Sequence, residues 1–245
     1  MAPRKPLDLF AFSVMVALCL CWGFQQIAVK LIAADVTPVM QMALRSGMAA
    51  LVLGAVTFRN EGRGAFADGT LPAGLLVGLL FGLEFLFIAQ GLVLTSASHM
   101  VVFLYSAPIF SALGLHLRFR EERLKLLQWI GVAVAFGGIA VSFLGAGEQV
   151  SGDMLVGDAM GLLAGLAWGL TTVVIRVSKL SEARAVKTLF YQVAFAGVTL
   201  LGLAALVGQT GMNLTPKVLL HLSYQTVVIT LISYVVWFWL LRHYL

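Results

Sequence analysis

The run "LLVGLLFGL" at residues 75–83 decides the fold class of this chain. Its apolar residues are contiguous, whereas the strands of a membrane β-barrel alternate apolar and polar residues. The run lies inside an apolar stretch at 71–94, which is long enough to cross a hydrocarbon layer of roughly 30 Å as a helix. It therefore predicts a transmembrane α-helix.

Seven further segments have the same apolar character. They lie at 9–31, 36–58, 98–117, 126–145, 155–177, 188–207 and 219–241. Only 11% of the residues are charged, against about 25% in soluble domains. The connections are short and leave no room for a soluble domain. We therefore predict an all-α, polytopic membrane helical bundle with eight transmembrane helices.

The basic residues are distributed unevenly between the two sides of the predicted bundle. If the N-terminus is cytoplasmic, the exterior loops hold one base, Lys217. The interior ends and loops then hold Arg4, Lys5, Arg59, Arg63, Arg118, Arg120, Arg123, Lys125, Lys179, Arg184, Lys187 and Arg242. Cytoplasmic loops of membrane proteins carry such an excess of bases. The net charge of +5 is thus explained by topology, and no nucleic-acid partner is predicted.

Two stretches of the chain resemble each other. "CWGFQQIAVK" at 21–30 and "AWGLTTVVIR" at 167–176 share a small residue, Trp-Gly, two polar side chains, an aliphatic triplet and a base, 146 residues apart. At an offset near 150, "FLFIAQGLVLT" at 85–95 overlays "VVWFWLLRHYL" at 235–245. The first, second and third segments therefore correspond to the sixth, seventh and eighth.

This correspondence predicts a duplication. A unit of five helices is odd in number, so its second copy enters the membrane from the opposite side, an arrangement known from secondary transporters. We predict an inverted repeat, with segments 1 to 5 at 9–145 and segments 6 to 8 at 155–245. The alternative is that both stretches are ordinary helix with recurrent composition.

The second copy is shorter than the first. Its last residue, Leu245, is the counterpart of Thr95, so eight of about ten expected helices are present. We expect a full-length reading frame or an intact homologue to carry the ninth and tenth helices. The alternative is that a partner completes the bundle.

The order of several short motifs resembles the EamA-like branch of the drug/metabolite transporter superfamily. These motifs are Trp22-Gly23 with Lys30, "TPVMQMALRSGMAAL" at 37–51, "GLVLTSAS" at 91–98, Pro108, "EERLKLLQWIGVAVAFGGIAV" at 121–141 and "VGDAMGLLAGLAWG" at 156–169. The resemblance implies ten helices in two EamA domains that export small metabolites, amino acids or drugs. It also implies an integral protein of a bacterial inner (plasma) membrane.

Ionisable residues deep in the bundle are candidates for function. Glu84 lies near the middle of the third segment and Arg45 lies deep in the second. A charged side chain at this depth costs at least a few kcal/mol and usually faces the bundle interior. We predict that Glu84 faces either Arg45 or internal water. Glu84 is a candidate for proton coupling, and a static pair with Arg45 is the alternative.

Aromatic and polar side chains near the middle of other segments are candidates for substrate binding. Together with Arg45 and Glu84, the candidates are Trp22, Gln25, Gln26, Trp168, Thr171, Thr172, Tyr191, Gln192, Tyr234 and Trp237. Tryptophan normally collects at the membrane interface, whereas these tryptophans lie inside their segments. The alternative is that they pack against glycine rows.

Two glycine rows predict close helix contacts. They comprise Gly157, Gly161, Gly165 and Gly169 in the sixth segment, and Gly74, Gly78 and Gly82 in the third. Small residues at this spacing let helix backbones approach closely in lipid. Static packing and a sliding seam remain alternatives. Pro108 also predicts a kink in the fourth segment, because it removes a backbone hydrogen bond.

The sequence favours a carrier over an enzyme. It contains no HExxH pair, GxGD motif or Walker loop, and no cofactor or metal is predicted. The expected partners are membrane lipid, a small-molecule substrate, and a proton or other ion, and a homodimer is compatible with the sequence. The alternatives are an intramembrane ligand-binding or assembly protein, or an inactive fragment of a carrier.

Overall fold

The computed structural model describes residues 8–119, 123–143 and 151–244, which form helices and short connections. The α-helices are α1 Leu9–Leu31, α2 Pro38–Glu61, α3 Leu71–Leu94, α4 Ala97–Leu104, α5 Ala107–Arg118, α6 Leu126–Phe143, α7 Gly152–Val177, α8 Ala185–Leu206, α9 Pro216–Ser223 and α10 Tyr234–His243. A π-helix, Tyr224–Ser233, joins α9 to α10. The prediction of an all-α bundle is confirmed.

Seven of the described segments are long and apolar enough to cross a membrane. Five are the single helices α1, α2, α3, α7 and α8, and the other two are α4 with α5 and α9 through α10. The fifth predicted segment, at 126–145, corresponds to α6, where the apolar part Leu126–Gly138 is shorter. Its predicted end at 145 lies outside the described residues. The first and third helices begin and end where the sequence predicts.

Capping residues explain where α2 and α7 begin. The backbone N–H of Met40 donates to Thr37 Oγ1, and Pro38 follows at the first helical position of α2. The backbone N–H of Met154 donates to Ser151 Oγ at the start of α7. A hydroxyl acceptor before the first turn satisfies an otherwise unpaired N–H. Proline at the first helical position loses no helical hydrogen bond, because an N–H there has no partner within the helix. These caps move α2 and α7 by two or three residues from the predicted starts.

The fourth span is broken, as Pro108 predicts. The helix α4 ends at Leu104, and α5 begins at Ala107 with Pro108 in its first turn. The proline ring has no N–H to donate and clashes with the carbonyl four residues earlier. The break therefore falls one turn before the proline.

The glycine rows form packed seams between helices. A side-chain carbon at Gly165 would lie 2.9 Å from the backbone oxygen of Phe103, and one at Gly169 would lie 2.9 Å from that of Ala107. The row on α7 thus packs against α4 and α5. A side-chain carbon at Gly78 would lie 2.9 Å from the Tyr191 carbonyl oxygen, so the row on α3 packs against α8.

The connections meet in pairs at both ends of the bundle. At the distal end, where α1 ends, the backbone N–H of Asn213 donates to the carbonyl of Asp35 at 3.0 Å. At the proximal end, where α1 begins, Lys187 Nζ donates to Asp68 Oδ2 at 2.7 Å. The connection after α1 therefore contacts the connection after α8, and the connection after α2 contacts the start of α8.

Candidate functional site

A central cavity lies between α1, α3, α4, α7, α8 and α10. About 620 Å³ of empty space lies between its walls, the open solvent at its mouth included. Its walls are formed by Trp22, Gln25, Gln26, Phe81, Glu84, Phe85, Ile88, Leu104, Trp168, Thr171, Thr172, Ile175, Gln192, Tyr234, Trp237 and Phe238. The structure therefore brings together ten of the twelve candidate residues, all but Arg45 and Tyr191.

Trp22 is the centre of an aromatic group in the wall. Its ring centroid lies 5.4 Å from that of Trp168, 5.9 Å from Tyr234 and 5.8 Å from Trp237, all edge to face. Its indole N–H donates to Ser233 Oγ at 2.8 Å. Edge-to-face pairs are favoured because the positive edge of one ring meets the negative face of the next. The aromatic wall is therefore held by contacts between three spans.

The polar part of the wall contains buried atoms that have no hydrogen-bond partner among the described residues. These are Gln26 Oε1 and Glu84 Oε2, whose side chains are 2% and 4% exposed. By contrast, the hydroxyl of Thr171 donates to the Ala167 carbonyl within α7. An unpaired buried acceptor costs about 1–3 kcal/mol, and more when it is charged. The unpaired atoms therefore mark the part of the cavity where a ligand gains most.

Arg45 does not form the ion pair with Glu84 that was one of the two predictions. Its guanidinium is fully buried, has no hydrogen-bond partner among the described residues, and lies 4.2 Å from the centre of the Phe85 ring. The ring belongs to the residue that follows Glu84 along α3. Glu84 instead lines the cavity. The alternative, that Glu84 faces internal water, stays a prediction.

Tyr191 lies outside the cavity, toward the proximal end of α8. Its hydroxyl shares a hydrogen bond of 3.0 Å with Thr70 Oγ1, and its ring centroid is 5.7 Å from that of Phe66. The side chain therefore packs against the connection between α2 and α3. Its neighbour Gln192 points to the cavity because consecutive helical residues lie on different faces.

Apolar residues of the wall escaped sequence reasoning. They are Phe81, Phe85, Ile88, Leu104, Ile175 and Phe238, and nothing distinguishes them from lipid-facing residues in the sequence. A buried amide pair was also missed. Gln225 Nε2 donates to Gln41 Oε1 at 3.0 Å, and Gln41 Nε2 donates to the carbonyls of Val29 and Val36. The signal for it was present, because both glutamines interrupt apolar segments.

Polar clusters lie at each end of the bundle. At the distal end, Asp158 accepts from Thr95 Oγ1 at 2.5 Å and lies 2.9 Å from His99 Nδ1. At the proximal end, the ammonium of Lys187 contacts Asp68 and Glu61. Hydrogen bonds from Lys187 and Thr70 lower the pKa of Asp68 from 3.8 to about 2. Both clusters join connections or helix ends that are distant in sequence.

Metal ligands are not grouped in the part of the chain that the structure describes. No set of three or more His, Cys, Asp or Glu side chains lies close enough there to hold an ion. The fold and the cavity together define a polytopic helical membrane protein with an internal site of mixed aromatic and polar character.

Comparison with known proteins gives the family. The model of the EamA-like transporter family matches residues 9–144 and again residues 155–244. The chain belongs to this family and is an integral membrane protein. The resemblance found in the sequence motifs is therefore confirmed.

A curated relative gives a weaker match. The chain is 22% identical over 160 residues to the uncharacterized transporter YoaV of Bacillus subtilis (strain 168). The matched residues make up 65% of this chain. The match covers 54% of YoaV, so the chain spans about half the length of that relative. No solved structure matches the chain.

Proposed function

We propose that this chain is a secondary transporter that exports small metabolites, amino acids or drugs by alternating access. The observation that carries the proposal is the position of the central cavity, between helices of both segments that match the family model. A site shared by two repeats can be opened to either side when one repeat moves against the other. The ring contact between Trp22 and Trp168, which are equivalent positions, supports this arrangement.

An inverted repeat is part of the proposal, with copies at 9–145 and 155–245. A shift of 146 to 150 residues turns the distal contact between 32–37 and 207–215 into a contact between 178–183 and about 57–69. A contact of that kind occurs at the proximal end, where a side-chain carbon at Gly69 would lie 2.9 Å from Lys179 Nζ.

A second pair of contacts supports the same symmetry. Asp8 and Asp158 lie 150 residues apart, near the starts of α1 and α7. At the distal end Asp158 accepts from Thr95, and at the proximal end Asp8 accepts from the Tyr244 hydroxyl at 3.2 Å. Thr95 directly follows α3, and Tyr244 directly follows α10. These two helices end spans that are equivalent in the repeat. Equivalent contacts at opposite ends are what an axis in the membrane plane produces.

The proposed orientation has the proximal end in the cytoplasm of a bacterium. The excess of bases in connections at that end favours it. Under this orientation the distal cluster of Thr95, His99 and Asp158 closes the exterior side, and the cluster of Lys187 closes the interior side.

Flux through proteoliposomes tests the transport function. Purified chain is reconstituted, and a panel of labelled metabolites, amino acids and drugs is followed across the membrane. Substrate-specific movement above that of empty vesicles is expected. Covalent change of the compound would indicate an enzyme instead, and binding without movement would indicate a receptor or assembly protein. The matched negative control is the same protein inactivated by heat before reconstitution.

Proton coupling at Glu84 is tested by the pH dependence of that flux. Glu84 lies on the cavity wall and interacts electrostatically with Arg45 on α2 and Tyr234 on α10. A carboxylate on the cavity wall can bind either a proton or the substrate. Release of the proton then allows the substrate to bind, and the reverse. We expect Glu84→Gln to remove the pH dependence of flux, with Glu182→Gln, at an exposed position, as the control. An unchanged pH profile in Glu84→Gln would assign the proton role elsewhere.

A further inference from the structure

The two buried, unpaired atoms on the cavity wall share one chemical property. Gln26 Oε1 and Glu84 Oε2 are both hydrogen-bond acceptors. Both belong to side chains that are more than nine-tenths buried. N–H donors of a ligand would satisfy acceptors of this kind, and a bond to a charged group contributes more than a neutral one.

The charge of the wall has one sign. Among the described residues that line the cavity, Glu84 carries the formal charge, and no Lys, Arg or His side chain is present. Arg45 is a buried base beside one wall residue, since its guanidinium lies over the Phe85 ring, but Arg45 is not itself part of the wall. A ligand carboxylate in the cavity would therefore share the wall with Glu84 and with no base among the described residues.

The apolar part of the wall is unusually rich in aromatic rings. Seven line the cavity: Trp22, Phe81, Phe85, Trp168, Tyr234, Trp237 and Phe238. The face of an aromatic ring carries negative charge density and attracts ammonium groups, most strongly when both are removed from water. Buried acceptors, a carboxylate and aromatic faces all favour the same kind of ligand.

We propose that the cavity selects organic cations, with an aromatic or apolar body, one ammonium group and no compensating carboxylate. The ammonium donates to Glu84 and Gln26, and the body lies among the rings around Trp22. This inference rests on the proposed function because it treats the cavity as the substrate site. It narrows that function to one class of substrate.

Four probes with one phenyl-alkyl skeleton test the selectivity. They are 2-phenylethylammonium, the neutral 2-phenylethanol, the zwitterion phenylalanine and the anion 3-phenylpropanoate. Their affinities for the purified chain in detergent are measured by isothermal titration calorimetry. We expect 2-phenylethylammonium to bind about tenfold more tightly than each of the others, the effect of one charge-assisted hydrogen bond.

Variants locate the selectivity. Glu84→Gln should weaken binding of 2-phenylethylammonium about tenfold and leave 2-phenylethanol unchanged. Gln26→Leu, which removes the second acceptor, should weaken the cation in the same sense and provides a test if Glu84→Gln does not fold. The control is Glu182→Gln at an exposed position, which should bind all four probes as the parent does.

Three results would overturn the cation selectivity. These are tighter binding of phenylalanine or 3-phenylpropanoate than of the cation, no binding of the cation, and equal loss of cation and alcohol affinity in both variants. Flux of an anion or zwitterion would keep the transporter and reject the selectivity. Binding of the cation without flux of any compound would keep the selectivity and reject the transporter.

Discussion

Trp22 shows how a single polar atom fixes the aromatic wall. Its side chain is buried, so the indole N–H needs an acceptor, and Ser233 of the π-helix supplies one. The Ser233 hydroxyl donates in turn to the carbonyl of Ile229. One serine therefore holds the ring of α1 against the eighth span and satisfies a carbonyl of the π-helix.

Removal of this hydroxyl should destabilise the protein. In Ser233→Ala the Trp22 N–H loses its acceptor, and a buried unpaired donor costs about 1–3 kcal/mol. We expect a lower thermal midpoint in detergent, measured by the loss of monodisperse protein on heating. Ser13→Ala is the control, because the Ser13 hydroxyl bonds only to its own helix at an exposed position. Equal midpoints for both variants would contradict the assigned role of Ser233.

The glycine row on α7 determines how this helix packs against α4 and α5. Its contacts with the carbonyls of Phe103, Leu104 and Ala107 are with backbone, which cannot move aside as a flexible side chain can. The seam therefore positions the broken fourth span, and with it Leu104 in the cavity wall. These contacts favour static packing over a sliding surface.

A single methyl group tests the seam. In Gly165→Ala the new carbon would lie 2.9 Å from the Phe103 carbonyl oxygen and 3.0 Å from that of Leu104. Such overpacking costs about 1–3 kcal/mol, so we expect a reduced thermal midpoint. Gly23→Ala provides the control, because nothing lies within 4 Å of its new carbon. Unchanged stability with lost flux in Gly165→Ala would favour the sliding seam.

The ion pairs at the proximal end join the connection after α2 to α8. Because the pKa of Asp68 is about 2 in the folded protein and 3.8 ordinarily, its contribution is complete above about pH 4 and disappears as the pH falls through 2. Its side chain is 46% exposed, and the ammonium keeps Glu61 as a second partner. We therefore expect an effect of no more than about 1 kcal/mol.

The pH profile of stability measures this contribution. The thermal midpoint of Asp68→Asn should lie below that of the parent above pH 4, and the difference should vanish near pH 2. Glu182→Gln serves as the matched variant from the same end of the bundle. A difference that persists unchanged at pH 2 would show that Asp68 acts through something other than its charge.

The topology of the whole molecule follows from the proposed inverted repeat. If the two repeats are inverted, the connection at 32–37 and its counterpart at 178–183 lie on opposite faces of the membrane. Ala34→Cys and Glu182→Cys place thiols at exposed positions in these connections. They are made in a background in which the half-buried Cys19 and Cys21 are replaced by serine.

Labelling of intact cells with a membrane-impermeant maleimide provides the measurement. We expect the thiol at position 34 to react in intact cells, and the thiol at position 182 to react only after the membrane is opened. Reaction of both from the same face would reject the inverted repeat. The cysteine-free background should remain unlabelled in each condition.

The sequence determined the helices and their family. The limits of α1 and α3, the break before Pro108 and the ten wall residues were predictable, because apolar length, proline and polar residues at depth act locally or through burial in lipid. Only the tertiary structure decided which side chains and helices contact each other. Arg45 lies over Phe85, Tyr191 bonds to Thr70, and the glycine rows face α4, α5 and α8. These contacts depend on the rotation of each helix about its axis and on the angles at which helices cross. Packing contacts of many residues together set those rotations and angles, so no short stretch of sequence specifies them.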